Sequence, residues 1–490
     1  ADTFGPNDVV TREQMMAIFY RYAKYTGCDV STGSDASLGA FEDNGRISAY
    51  AVEAMRWAYG CGLLVGNAVW GKRRLWVALS LLLNLGVLFF FKYYNFAAGL
   101  LSDAVHAAGL GLDVPLLDVL LPVGISFYTF QALGYTIDVY REDVEAEKNF
   151  IDYALFISFF PQLVAGPIER SGHILHQLKE YHPFRYENIK TGIYPVLWGL
   201  FKKVVIADNL ASMVNTVYNH PQNQGGGAFL VATVAFAFQI YCDFSAYSDI
   251  ARGSARMLGF RLMENFHCPY FATSIQDFWR RWHISLSSWF KDYLYFPLGG
   301  SRRGKARTCL NVMIVFFVSG LWHGAALTFV AWGLLNGLYQ VVSKLYDPLR
   351  QKLLSRLPLR REGAPYRCFQ VAVTFVLTCI AWVLFRANSL PDALTAYQAI
   401  CSIPVWGFGT ARLEFSGHTL GLPVAALVVA LCALLLGVMD WLIHSKNLFQ
   451  RLDRTVALRY AGYFLLAAAI LLFGSYGEGY DPQAFVYFQF

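Results

Sequence analysis

The chain has 490 residues, of which 56% are hydrophobic, 16% aromatic and only 15% charged, and its mean hydropathy is +0.38. Soluble domains carry about 25% charged residues, so this composition excludes an ordinary soluble enzyme and predicts an all-α, polytopic membrane protein. The net charge of +6 comes from basic clusters between apolar runs, which is typical of cytoplasmic loops and argues against nucleic-acid binding.

Residues 1–67 differ from the rest of the chain, because they mix polar and apolar residues. The apolar residues recur with helical periodicity at 11–25 and at 47–66. Thr11, placed before Glu13 and Gln14, predicts a helix start. The segments FGPNDVVTREQM, FEDNGRIS and WAYGCGLLVGN resemble one S-layer homology repeat. This resemblance implies a small helical module that binds cell-wall polysaccharide, and it makes a wall-attached structural protein one functional alternative.

Apolar runs follow one another from residue 75 onward and predict a series of membrane helices. They cover residues 75–101, 116–140, 151–168, 192–212, 226–250, 310–343, 369–387, 420–443 and 458–474. Pro122, Pro161 and Pro167 lie in or beside these runs and predict broken or re-entrant helices that line a cavity. The basic GKRR segment at 71–74 places the start of the first span in the cytoplasm. No strand is predicted.

His323, in the segment SGLWHGAAL, lies within 36 residues, Thr308 to Ser343, that contain no Asp, Glu, Lys or Arg. Both flanks are basic and are expected on the cytoplasmic side, yet two full crossings would need about 40 apolar residues. We therefore expect two short or re-entrant segments, broken near Gly320 and Gly324, that hold His323 below the membrane surface. An ionisable ring at this depth indicates a functional site; a histidine bonded across a helix packing contact is the alternative.

A second histidine lies in the Trp-rich stretch at 274–300, whose pattern predicts one amphipathic helix. Its apolar face would carry Trp279, Trp282, His283, Leu286, Phe290 and Tyr293. His283 would then point the same way as the aromatic rings. The alternative is a helix that only rests at the lipid interface.

Two imidazoles in an apolar chamber suit acyl transfer, because a buried, neutral ring can accept the proton of an attacking hydroxyl. The chain has no G-x-S-x-G elbow and no phosphate-binding loop of the Walker type, so no motif supports a serine hydrolase or a nucleotide-driven pump. Nine scattered cysteines, without a C-x-x-C pair or a neighbouring histidine cluster, predict neither disulfides nor a metal site.

Four segments, at 160–170, 239–259, 277–300 and 319–337, resemble the membrane-bound O-acyltransferase (MBOAT) family, in its bacterial alginate O-acetyltransferase branch. The similarity extends over residues 72–490. It implies a ring of transmembrane and re-entrant helices, thinned at the centre and crossed by a tunnel. The near-invariant histidine of the family corresponds to His323 and its second characteristic histidine to His283. The terminal FVYFQF resembles a C-terminal family motif and implies that Tyr487 is an acyl relay; an aromatic anchor at the interface is the alternative.

By this resemblance, the domain at 72–490 is an acyltransferase of the bacterial plasma membrane with no permanently bound cofactor. It would take an acetyl group from acetyl-CoA or another cytoplasmic thioester and pass it through the membrane. The acceptor would be an exopolysaccharide such as alginate, reached through an extracytoplasmic SGNH-type partner. The alternatives are D-alanyl transfer from a carrier protein to teichoic acid, and a transporter in which the histidines relay protons.

The remaining charged residues of the apolar region are expected to be structural. Asp243 and Asp249 could pair with Arg252 or Arg256 as a lock, or could take a direct part in the chemistry. Lys202 and Lys203 are expected to face the cytoplasm.

Overall fold

The computed structural model describes residues 12–26, 30–31, 38, 47–60, 73–111, 113–354, 363–402, 412–415 and 417–476. Within these ranges the chain is mostly helical, as predicted. The helices are α1 (Arg12–Tyr25), α2 (Val52–Gly60), α3 (Arg73–Leu88), α4 (Tyr94–Ala107), α5 (Ile125–Arg141), α6 (Phe150–Ser158), α7 (Ser171–Lys179), α8 (Tyr186–Leu200), α9 (Asp208–Tyr218), α10 (Gly226–Met257), α11 (Ile275–Arg281), α12 (Ile284–Phe290), α13 (Gly304–His323), α14 (Leu327–Leu354), α15 (Ala364–Arg386), α16 (Leu390–Cys401), α17 (Leu422–Lys446), α18 (Leu448–Leu452) and α19 (Val456–Phe473).

Six helical stretches of the described chain are long and apolar enough to cross a bilayer, which confirms a multi-pass membrane protein. They are Arg73–Ala107, Gly226–Met257, Gly304–His323, Ala364–Arg386, Leu422–Lys446 and Val456–Phe473. The first of them joins α3 and α4 through the π-helical segment Phe89–Tyr93. Two further π-helical segments, Phe201–Ala207 and Lys291–Tyr295, follow α8 and α12.

The proline-containing runs are interrupted, as predicted. Pro122 lies in the non-helical stretch before α5, and Pro161 and Pro167 lie in the non-helical stretch between α6 and α7. The expectation of no strands is wrong, because β1 (Arg412–Phe415) and β2 (His418–Gly421) form an antiparallel hairpin that pairs Leu413 with Leu420. The hairpin was missed because each strand has only four residues.

The chain divides into two compact units. The first comprises residues 1–94, 117–163 and 169–181. In it, Met16 and Met55 of α1 and α2 belong to one buried apolar cluster that also includes Phe150 of α6. On α3, Ser80 lies 3.3 Å from the Thr136 hydroxyl of α5, and Arg73 forms an ion pair with Glu142. Most of the S-layer-like segments lie outside the described residues, so that module stays a prediction.

The second unit comprises residues 95–116, 164–168 and 182–490, and α10 is its central helix. The most apolar part of α10 is 83% buried, far more than that of any other candidate span. Glycines bring α8 close to α10, since a Cβ on Gly192 would lie 2.7 Å from the carbonyl oxygen of Gly253. Close packing of this kind is how helices associate in lipid, where no hydrophobic force drives them together.

The hairpin of α13 and α14 depends on a similar glycine contact. Gly320 of α13 faces Gly333 of α14, and a Cβ on Gly333 would lie 3.1 Å from the Gly320 Cα and would overlap the carbonyl oxygen of Phe316. The two backbones therefore touch directly, a few residues from the turn that follows His323.

We expect Gly333→Ala to lower the thermal stability of the purified protein, because the added methyl group meets backbone that cannot move aside. Overpacking of this kind costs about 1–3 kcal/mol. The matched control is Gly99→Ala in α4, where the new Cβ has no heavy atom within 4 Å. Unfolding in detergent should show a lower midpoint for Gly333→Ala alone; equal midpoints for the two variants would contradict the close contact.

Candidate functional site

His323 is the last residue of α13, and the chain leaves the helix at Gly324 before α14 begins at Leu327. The predicted break is confirmed at Gly324, whereas Gly320 lies inside α13. Only 5% of His323 is exposed. Its ring packs against aromatic side chains from two neighbouring helices, with centroid distances of 5.0 Å to Trp332 and 5.4 Å to Phe385.

His283 lies between two short helices and not within one long helix, so the prediction of a single amphipathic helix over 274–300 is wrong. Its backbone has a φ of +46°, in the left-handed region that non-glycine residues rarely adopt, and this turn separates α11 from α12. The His283 ring is fully buried. It packs edge-on against Phe244, with 4.6 Å between ring centroids, and lies 5.8 Å from Trp322.

The two predicted histidines are brought together, although 40 positions separate them in the sequence. Their ring centroids are 6.5 Å apart. A cluster of indole rings lies around them. Trp332 and Trp382 stack with ring centroids 6.0 Å apart, and the ring centroids of Trp282 and Trp382 are 5.2 Å apart. Tyr487, the predicted relay, lies outside the described residues.

A hydrogen-bonded segment fixes the backbone around His283. The Asn265 carbonyl accepts the amide proton of Ile284, at 3.0 Å, and the Asn265 side-chain oxygen accepts the Ser285 hydroxyl proton, at 2.6 Å. The same serine oxygen accepts the Ile168 amide proton, and the Asn265 amide donates to Ser248 of α10. Sequence reasoning missed Asn265, because its partners lie on separate segments. These bonds hold the strained turn at His283 and thereby aim its ring.

Burial, and after it the neighbouring His323 ring, lowers the pKa of His283 well below its ordinary value. The ring is therefore neutral at physiological pH. A neutral imidazole has one nitrogen that accepts a proton and one that donates, so the pair can receive a proton from a hydroxyl and orient a second polar atom. The spacing of the rings allows one small polar group to contact both.

A buried charge network lies on α10, with partners that differ from those predicted. Lys202 Nζ lies 2.7 Å from Asp249 Oδ2, and Lys203 Nζ lies 2.7 Å from Asp243 Oδ1. The expectation that these lysines face the cytoplasm is wrong, because Lys202 is 2% exposed and both donate toward α10. They reach it from the π-helical segment Phe201–Ala207, a local widening of the helix that is often found at functional sites.

The predicted arginine partners of the two aspartates bond elsewhere. Arg252 Nη1 lies 3.4 Å from Glu264 Oε1, and Arg256 Nε donates to the Thr191 hydroxyl at 2.7 Å. Lysines are the counter-charges of both aspartates, because the π-helical segment Phe201–Ala207, remote in sequence, packs beside α10. The predicted pairing with arginine is therefore wrong, and the observed ion pairs join α10 to the π-helical segment that follows α8.

A cavity of about 610 Å³ adjoins this network. Its volume lies within the usual range of roughly 300–1,000 Å³ for small-molecule sites. Three arginines, Arg252, Arg256 and Arg261, line it together with Lys202 and acidic residues that include Asp249 and Glu264. The lining is thus charged, in contrast to the aromatic surroundings of the histidines.

Neither histidine lines this cavity, so the cavity and the histidine pair occupy different places. Phe266 connects them: it lines the cavity and lies 5.0 Å from Phe244, which packs against His283. The cavity lining also contains titratable groups, among them Glu264 and His444, so the histidine pair and the charged cavity are two separate candidate sites.

Comparison with known proteins places both histidines in a shared domain. A model of the membrane-bound O-acyltransferase family matches residues 145–385. The chain is 39% identical over 382 residues to the probable alginate O-acetylase AlgI of Pseudomonas syringae, covering 77% of this chain and 70% of that protein. It is 36% identical over 450 residues to the corresponding protein of Pseudomonas putida, covering 89% and 88%. Identity to the peptidoglycan O-acetyltransferase of Helicobacter pylori is 35%, covering 68% and 65%.

We expect Lys203→Met to destabilise the protein strongly, because Lys203 is shared by Asp243 and by Asp208, 2.8 Å away, and both carboxylates are buried. Removing one partner of a buried ion pair costs about 3–5 kcal/mol. Asp243→Asn should lower the free energy of unfolding less, since Lys203 retains its ion pair with Asp208.

The matched control is Lys305→Met, at an exposed lysine. Thermal unfolding in detergent should rank the midpoints as wild type and Lys305→Met highest, then Asp243→Asn, then Lys203→Met. A Lys203→Met protein as stable as the control would show that the network contributes no stability.

Proposed function

Because the chain belongs to the membrane-bound O-acyltransferase family, and is therefore an O-acyltransferase, we propose that it moves an acetyl group across the membrane for O-acetylation of an exopolysaccharide such as alginate. The observation that carries the proposal is the pair of buried histidines 6.5 Å apart inside the matched domain. The names of the relatives support acetyl as the group transferred, since both the alginate and the peptidoglycan enzymes are acetyl-transferring proteins.

The charged cavity supports a thioester donor such as acetyl-CoA. Its three arginines offer planar, bidentate donors of the kind that bind phosphate groups, which coenzyme A carries and a hydrophobic chamber would reject. Lys202 lies deeper, against the rings of Trp198 and Tyr241. The donor would bind with its phosphates at the arginines and its acyl end toward the aromatic wall formed by Phe266 and Phe244.

In the proposed reaction, His323 is the general base and His283 orients the acyl group. His323 accepts the hydroxyl proton as the oxygen attacks the thioester carbon; a carbon–oxygen bond forms, the carbon–sulfur bond breaks, and the thiolate leaves and regains a proton. Tyr487 is the proposed hydroxyl that first accepts the group. The polysaccharide would then be acetylated with the help of an extracytoplasmic SGNH-type partner.

Residues 1–67 would form a single S-layer homology-like module, and α1 and α2 are its two described helices.

Membership of an acyltransferase family supports an enzyme over the transporter and wall-protein alternatives.

We expect His323→Ala to abolish acyl transfer while the protein still accumulates in membranes. The loss should be on the order of 100- to 10,000-fold, the usual contribution of one acid–base group. Purified protein in liposomes, supplied with radiolabelled acetyl-CoA, an acceptor polysaccharide and the SGNH-type partner, gives the rate. His283→Ala should also reduce turnover.

The matched control is His418→Ala, an exposed histidine on β2, which should transfer at the wild-type rate. If His323→Ala does not fold, His323→Gln keeps a polar group of similar size and tests the same base. Wild-type transfer by a folded His323 variant would overturn the assignment. A wild-type protein that uses only a D-alanyl carrier protein as donor would overturn the acetyl proposal.

The pH dependence of transfer tests the neutral state of His283. Because burial lowers the pKa of His283, the unprotonated ring persists to lower pH than an ordinary imidazole. We expect His283 to add no acid limb to kcat/KM as the pH falls through about 6.5, where an ordinary histidine gains its proton. The melting temperature over the same range controls for unfolding. An acid limb centred at about pH 6.5 in the stably folded wild type that disappears in His283→Gln would contradict a neutral His283, since a limb from the base His323 would remain.

A further inference from the structure

Three side chains that the proposed reaction does not use converge at the end of α17. Glu264 and His267 lie in the loop between α10 and α11, and His444 lies in the last turn of α17. One candidate ligand atom from each of them lies within 4.8 Å of those of the other two. The Glu264 carboxylate lies near both rings, with Oε1 3.4 Å from His444 Nε2 and Oε2 3.8 Å from His267 Nδ1.

His444 is oriented as a metal-binding histidine would be. Its Nδ1 lies 3.1 Å from the Asp440 carbonyl oxygen, so Nδ1 carries the proton and the Nε2 lone pair points toward Glu264 and His267. Histidines that bind metals almost always donate their second ring nitrogen in this way, which fixes both tautomer and ring direction. The His267 and His444 rings lie nearly perpendicular, at 80°, with centroids 4.7 Å apart, and one nitrogen of each ring lies within 4.8 Å of the other and of a Glu264 oxygen.

We propose that Glu264, His267 and His444 bind a divalent transition-metal ion of the zinc class. Two imidazoles and one carboxylate form a known three-ligand zinc set, with water in the fourth position. Zinc–ligand bonds of about 2.0–2.2 Å in a tetrahedron place the ligand atoms roughly 3.4 Å apart. The shortest observed separation is 3.4 Å and all of them lie within 4.8 Å, so side-chain rotation would have to bring the more distant ligand atoms closer to the ion.

The competing arrangement is an ion pair between Glu264 and protonated imidazoles, with Arg252 beside them. Arg252 Nη1 lies 3.4 Å from Glu264 Oε1, and both side chains are more than a third exposed. Exposed pairs at such distances contribute little free energy, so a metal ion can displace Arg252 at low cost. The half-exposed His267 leaves the site open to ions from solution.

A bound ion would join two parts of the second unit that are 180 positions apart in the chain. The loop that it would hold includes Asn265, which lies between two of the ligands and bonds to Ile284 and Ser285 beside His283. The site also shares Glu264 and His444 with the charged cavity. This inference goes beyond the proposed acyl transfer and does not depend on it.

Zinc content of the purified, full-length chain tests the site. After chelator treatment and re-equilibration with Zn²⁺ alone, the wild type should retain one equivalent per chain by elemental analysis. His267→Ala, Glu264→Gln and His444→Ala should each bind at least about 100-fold more weakly, since even outer-shell substitutions cost 10- to 100-fold.

His267→Ala is the most informative variant, because the backbone N–H of His267 bonds to Arg281 and survives the substitution. His418→Ala, at an exposed histidine outside the cluster, controls for general loss of imidazole. Zinc should raise the melting temperature of the wild type and of His418→Ala but not of the three ligand variants. A ligand variant that unfolds cooperatively without zinc is folded and has lost only the binding. Equal zinc content in His267→Ala and wild type, or displacement of the zinc by excess Mg²⁺, would overturn the proposal.

Discussion

The structure depends on counter-charges for the ionised side chains that lie in its apolar interior. Helix α10 is the most buried candidate span and yet carries Asp243 and Asp249. Buried charges are tolerated only when each has a counter-charge, because desolvation costs several kcal/mol, roughly, for each ion. Lys202 and Lys203 meet this requirement and so fix the end of α8 against α10. Asn265 is tied to α10 by Ser248, and this bond in turn places the His283 turn.

The features that the sequence could predict are those set by local length and composition. The long apolar runs predict spans because the thickness of a bilayer fixes the number of helical residues that cross it. The break after His323 follows from the same comparison. The expectation of two short segments is wrong, because α13 and α14 extend into the flanking basic residues and reach 20 and 28 residues. The two histidines could be selected for a similar reason: an ionisable ring among apolar residues is costly wherever it lies.

Partners distant in sequence could not be predicted. The helix pattern at 274–300 is continuous, and only the bonds that Asn265 makes from outside the helix reveal why the chain turns at His283. Arginines on α10 were the nearest cations to Asp243 and Asp249 in sequence, but packing brought lysines from another helix. The cluster of Glu264, His267 and His444 is equally invisible, because a spacing of 180 positions has no metal-binding signature.

The charged cavity and the aromatic surroundings of the histidine pair have opposite character, and the proposed acyl transfer would use both. Phosphates need charged donors and tolerate water, whereas a thioester approaching a basic imidazole must be shielded from water, which competes as an acceptor. Phe266 lies at the boundary: it faces the charged cavity and packs against Phe244 and Trp282, at 5.0 and 5.1 Å. In the proposed reaction this aromatic wall must admit the acyl end of the donor and exclude its solvent. The segment that carries Phe266 also carries Asn265 and His267, so any movement of the wall is tied to the hydrogen bonds that aim His283.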